Sequence, residues 1–171
     1  MYKYITSLLL FVLLVGCSQQ ASLEPVAIDE VGVDSCAECH MGIQDLDHAS
    51  QIILEDGTPK IYDDIGCMLI DYDEQKGKLG VMYVRDYHTK EWIDFKEATF
   101  VQYNNIPTPM SYGIIAFQSR EDAEQFQGAN RGGGQIFEGE EIFQLDVHSL
   151  KENMDHDHGE HHHDEMSEGH E

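Results

Sequence analysis

The reading turns on residues 50–69: Ser50-Gln51-Ile52-Ile53-Leu54, Glu55-Asp56-Gly57, Thr58, Pro59-Lys60-Ile61-Tyr62, and then Asp63-Asp64-Ile65-Gly66-Cys67-Met68-Leu69. Two β-rich runs flank an acidic turn closed by glycine, which is the pattern of a hairpin. Asp63 or Asp64 then caps a helix, where Ile65, Met68, Leu69 and Tyr72 fall on one face. Leu79 to Arg85 reads as the following strand. The order is β-β-α-β.

Outward from this unit the order returns. Ala98 to Tyr103 and Gly113 to Phe117 read as strands, and Ser119 caps a helix that carries Asp122 in its first turn and Ala123 and Phe126 on its apolar face. Gly132-Gly133-Gly134 leads to a last strand, Gln135 to Phe137, expected to continue at Ile142 to Leu145. The expected fold class is α+β, with two related β-β-α-β units in one compact domain over residues 34–150.

The flanks have a different character. Lys3 and the apolar run Ile5 to Val15 form a signal peptide over residues 1–16, because the run is shorter than the roughly 20 residues a spanning helix needs. Leu14-Val15-Gly16-Cys17 resembles a bacterial lipobox, which places cleavage before Cys17 and lipid on its sulfur. The mature chain is then expected on the extracytoplasmic face of the cell envelope, anchored by acyl chains. Ser18 after the lipidated cysteine fits outer-membrane sorting where such a membrane exists. Residues 17–33, acidic and without a base, read as a tether. Residues 151–171 hold one base against eight acids and six histidines, with almost nothing to bury, and are expected to be disordered.

The chain carries 33 acidic against 10 basic residues, a formal net charge of −23. Phosphate backbones repel such a chain, so nucleic-acid binding is excluded. Cations are the natural partners of this charge.

The chemistry concentrates in Cys36-Ala37-Glu38-Cys39-His40-Met41, two thiols, an imidazole and a thioether within six residues on an expected exposed loop. Thiolate and thioether together suit Cu(I), which needs only two or three soft ligands. A closed zinc site would want four ligands, and the sequence offers no second Cys pair. Outside the cytoplasm the two cysteines also have the option of a disulfide. Met110 is presented between Pro107, Pro109 and Ser111 in a stiff turn, although a lone Met is by default core filler. Met68 and Cys67 read as core, and His48 and His88 as surface or supporting groups. In the tail, His156, His158, His161, His162 and His163 suit loose gathering of metal ions.

Taken together, these residues resemble the NosL family of lipoproteins, accessory factors of the copper enzyme nitrous oxide reductase. The resemblance runs through Cys36-x-x-Cys39-x-Met41 and Tyr62-Asp63-Asp64-Ile65-Gly66-Cys67-Met68-Leu69. It continues through Pro109-Met110, Gly113 to Phe117, and the helix leading to Gly133-Gly134. It implies a fold similar to part of organomercurial lyase, Cu(I) binding, and delivery to apo nitrous oxide reductase in concert with an ABC-type transporter. Carried over by position, the copper ligands fall on Cys36, Cys39, Met41 and Met110; His40, which has no counterpart in the family's motif, either adds a nitrogen donor or changes the flexibility of the loop. The chain departs from the family's pattern where its proline after the first Cys is Ala37, its glycine before the motif Met is His40, and its glycine after the proline-linked Met is Ser111.

Two other classes compete. One is an extracytoplasmic enzyme, either a thiol–disulfide oxidoreductase or a mercury–carbon lyase using Cys36, Cys39 and an Asp. The other is a surface lipoprotein that buffers metal through its His-rich tail. The lyase alternative rests on likeness of fold alone, and the chain is expected to be a binding protein and not an enzyme.

Overall fold

The computed structural model describes residues 21–28 and 32–150. The signal peptide, Cys17 and the tail from residue 151, with all its histidines, lie outside the described residues.

Strand β1 (Ser50–Leu54) and strand β2 (Pro59–Tyr62) form the expected hairpin, with Gly57 at φ +84° closing its turn. Asp64, not Asp63, caps helix α1 (Ile65–Gln75): its backbone is extended and its carboxylate accepts from Gly66 N at 2.9 Å. Ile65, Cys67 and Met68 on that helix are buried. Strand β3 (Leu79–Arg85) returns antiparallel to β1. A three-residue strand, β4 (Trp92–Asp94), then adds to the edge beside β3. The sequence reading missed it because three residues show no alternation. Its place is held by the Arg85 guanidinium, 3.8 Å over the Trp92 ring.

The second run consists of β5 (Thr99–Gln102), β6 (Ile114–Phe117), helix α2 (Arg120–Ala129) and β7 (Gln135–Glu138). Ser119 caps α2 as expected, accepting from Asp122 N at 3.2 Å. The four-stranded sheet has the order β2-β1-β3-β4 and the three-stranded sheet β6-β5-β7, both wholly antiparallel. In each, the first strand of its run is central. The strand expected to continue over Ile142 to Leu145 is instead a 3₁₀ helix, Gly139–Gln144. Gly139 turns the chain at φ +48°, and Glu138 and Glu141 cap each other reciprocally, so the ladder stops. Ile142 is still fully buried.

The packed chain also begins earlier than the expected boundary at residue 34. Buried Gln51 bonds both backbone groups of Val26, at 2.9 and 2.7 Å, and Ile28 packs with Ile43 and Ala49. A buried amide needs such partners, and only this incoming segment supplies them.

The two sheets share one core, in which Ile52, Tyr62 and Met68 meet Phe95, Phe100 and Ile114. Each such side chain contributes about 1.5–3 kcal/mol by leaving water. Asp86 joins the sheets at one end: its carboxylate accepts from His88 N, from Thr89 and, across the junction, from Gln118 N at 2.7 Å. Tyr87 N donates to Ala116 O beside it. A second contact between the halves lies at the start of α1, where Asp64 meets Thr108 and Met110, and the candidate site is there.

Candidate metal centre

The segment Ser35–Gly42 is a tight loop closed by an antiparallel bridge between its ends. Cys36 N donates to Met41 O at 2.8 Å, His40 N to Cys36 O at 3.0 Å, and Ala37 N to Ile61 O at 2.8 Å. The last bond pins the loop to β2 and turns Cys36 inward. The loop is therefore exposed only in part, contrary to expectation: Cys36 is 1% exposed, while Met41 is 49% exposed. His40 stands at φ +63° and Ser111 at φ +60°. These are the two positions at which the chain departs from the glycines of the resemblance, and both need the left-handed conformation that glycine adopts freely.

Cys67 occupies the first turn of α1, reaching the site from 28 residues further along the chain than Cys39. Ligand atoms of Cys36, Cys39, Asp63 and Cys67 all lie within 4.8 Å of one another. All three cysteines are free. Cys67 is fully buried, as expected of a core residue, yet it belongs to this cluster as well. The four-donor set for which the sequence offered no second Cys pair is thus completed by Asp63 and Cys67 from another element.

The sulfurs differ in charge. The hydrogen bond from Cys67 brings the Cys36 thiol down to about 6, against the opposing effect of burial, and backbone N–H groups of Cys39, Asp63 and Glu38 assist. Cys39 is pushed up to about 11 by burial and by the charges of Cys36 and Asp63. Cys67 is pushed well up by its bond to the Cys36 thiolate and by burial. At neutral pH the metal-free cluster holds one thiolate and two thiols, one of them 3.8 Å from both Asp63 oxygens. Metal binding there displaces protons from sulfur.

The thioethers lie around this cluster. Met41 lines an open cleft of about 550 Å³ together with Asp63, Pro107, Thr108 and Pro109. Met110 is half-buried and packs on the core cluster that contains Cys36 and Cys67. Asp64 ties its loop down: one carboxylate oxygen accepts from Thr108 Oγ1 at 2.7 Å and from Met110 N at 3.0 Å. Burial raises the Asp64 carboxyl, while the bonds from Gly66, Thr108 and Met110 oppose that shift. Asp63, Asp64 and Cys67 escaped the sequence reading as site residues. Their signal was the unbroken Asp63-Asp64-Ile65-Gly66-Cys67 run, which reads equally well as a helix cap followed by core.

The remaining candidates lie elsewhere. His40 is exposed on the loop. His48 bonds Asp45 at 2.8 Å, and His88 packs its ring against Tyr87 and Phe117. Neither belongs to the cysteine cluster.

A thiol-rich donor set gathered between the two halves of an α+β frame is that of a protein built to hold a soft metal ion. The chain belongs to the NosL family, whose model matches residues 25–147. No curated protein matches it. Its fold is similar to the crystal structure of the copper chaperone NosL from Shewanella denitrificans, with a TM-score of 0.61 and 20% identity. The match covers 72% of this chain and 98% of that one.

Proposed function

We propose that this protein is a lipid-anchored Cu(I) carrier of the bacterial cell envelope, a binding protein rather than an enzyme. Cys36, Cys39 and Met41 hold the ion, with Met110 closing on it from the facing loop. The observation that carries the reading is the convergence of the cysteine loop, the start of α1 and the Met110 loop in a chain of this family. Soft thiolate and thioether donors favour Cu(I) over harder ions. Met41 at the cleft leaves a route for ligand exchange with a recipient, as transfer requires. His40 stands nearby as an auxiliary donor.

The recipient is apo nitrous oxide reductase, with the ABC-type transporter of the same system as a second partner. Cys17 carries the lipid, and the tail histidines His156, His158, His161, His162 and His163 gather ions loosely. The two strand-order-matched runs are related β-β-α-β units. The test is competition titration of Cu(I) against a chelator of known affinity. Cys39→Ser and Met41→Ala are each expected to weaken binding by orders of magnitude. If both variants hold copper as tightly as the parent, the site lies elsewhere and the reading is wrong.

A further inference from the structure

A cleft of about 430 Å³ opens at the end of α2, and none of its lining residues belongs to the cysteine cluster. Its walls are the half-buried rings of Tyr87, Tyr103 and Phe126. These rings are held in place. Tyr87 and Phe126 meet edge to face at 5.2 Å, and Tyr103 lies on the backbone of Gly133, where a Cβ would stand 2.6 Å from its ring. The cleft is thus preformed and falls within the usual size range of ligand sites.

Its charge sets it apart from the rest of the chain. The cleft beside Met41 carries Asp45 and Asp63, and the one beside the 3₁₀ helix carries Asp73 and Asp146, whereas no carboxylate lines this one. Its charged residue is Arg131, which has no ion pair among the described residues. Arg131 stands at φ +61° just past the cap of α2, its N–H donating to Gly128 O and that of Gly132 to Gln127 O. Glycine fills that position without steric cost, and three glycines follow directly. The arginine there bears a strain that no ion pair of its own offsets. At the rim, Asn105 Nδ2 donates to Tyr103 OH at 3.0 Å and Asn130 Nδ2 to Phe126 O at 2.8 Å, which leaves both amide oxygens as acceptors.

Aromatic walls, acceptors for N–H groups and one guanidinium fork for a carboxylate together match the end of a peptide. Cation and rings share one cleft, so the carboxylate and the apolar side chain they bind must lie close together. The last residue of a chain carries both on one Cα. A polyacidic segment fits less well, because the net charge of −23 repels it.

We infer that this cleft binds the C-terminal end of a partner polypeptide that finishes in an aromatic or large aliphatic residue with a free carboxylate. Arg131 holds the carboxylate, the three rings hold the side chain, and Asn105 and Asn130 accept from the backbone. Pro107 lines both this cleft and that of Met41, so a docked chain end rests against the loop that carries Met110. The assignment stands whether or not the copper reading holds, because no cysteine takes part in it.

The test is an NMR titration of the full chain with a hexapeptide of glycine and serine that ends in phenylalanine. The free acid is expected to shift the amide signals of Asn130 and Arg131 and the ring signals of Phe126, saturating at about millimolar concentration or below. The same peptide with an amidated end is expected to bind about tenfold more weakly or worse. No shift with the free acid, or equal binding of the amide, overturns the proposal. Equal binding of an amidated peptide with glutamate beside the phenylalanine overturns it in favour of an internal acidic segment. Equal binding of benzoate overturns it in favour of a small organic anion. Arg131→Gly is the decisive variant, because glycine at positive φ keeps the helix end intact. It is expected to fold as the parent does and to bind the free acid about tenfold more weakly, and undiminished binding removes Arg131 from the site.

Discussion

The helices of the two runs begin alike and end in different roles. Both follow a hairpin, both start from a residue with extended backbone whose side chain caps the helix, and both pack on an antiparallel sheet with the first strand at its centre. The Ser119 cap of α2 stays local, bonding only Asp122. The Asp64 cap of α1 reaches across to Thr108 and Met110 of the other half. Helix α1 buries Ile65, Gly66, Cys67, Met68, Asp71 and Gln75, whereas α2 buries only Ala123. A shared strand order therefore supplies a frame, and the site forms where one helix start is trapped between the halves. The free helix start carries no chemistry.

The sharpest way to break this contrast is a matched glycine substitution. A Cβ on Gly66 would stand 2.2 Å from the Tyr112 ring, so Gly66→Ala is expected to cost about 3 kcal/mol by overpacking. On α2 nothing lies within 4 Å of a Cβ on Gly128, and Gly128→Ala is expected to stabilise by about 0.5 kcal/mol. Urea unfolding of both variants checks the pair, and equal effects would dissolve the distinction.

The caps give a second matched pair. Asp64→Ala removes the cap and leaves the Thr108 hydroxyl and Met110 N–H without their acceptor, a loss of about 3 kcal/mol. Ser119→Ala is expected to cost about 1 kcal/mol. Only the first should also weaken Cu(I) binding, since only Asp64 holds the Met110 loop. A Cu(I) titration of the two variants beside their unfolding curves sharpens the comparison.

Protonation supplies a third test, confined to the α1 side. The folded-state value of Cys36, about 6, lies below its ordinary 9.0. Its contribution to stability is therefore complete above pH 9 and is lost as pH falls through 6. Thiolate absorbance of the metal-free protein should fall with a midpoint near pH 6, and Cys36→Ser should abolish that step. The smallest effect is conformational. His40→Gly relieves a left-handed strain of about 1–2 kcal/mol and adds back about 0.5–1 in chain entropy, for a small net gain. Ser111→Gly should behave alike, since both residues sit at positive φ, and the thermal midpoints of the two variants measure it.

Much of the frame was legible because it rests on local chemistry. The Glu55-Asp56-Gly57 turn, the caps at Asp64 and Ser119, and the apolar face carrying Met68 each follow from neighbours within a few residues. Strand β4 and the 3₁₀ helix at Gly139–Gln144 were not legible, because a cation–π stack and a reciprocal cap decide them over any periodicity. The early packing of Val26 and Ile28 was hidden for a similar reason: the demand came from Gln51, 25 residues away from Val26.

The sequence by itself determined the kind of chemistry: sulfur donors in Cys36 to Met41, a second thioether directly after two prolines, and an acidic chain attractive to cations. It also determined the order of elements, since helix and strand periods and their caps are short-range properties. Only the tertiary structure decided which donors meet. Asp63 and Cys67 sit on a hairpin end and a helix start, and Asp64 ties the Met110 loop to them. Distances of a few ångströms between residues tens of positions apart depend on how two sheets pack, and no local pattern encodes that packing.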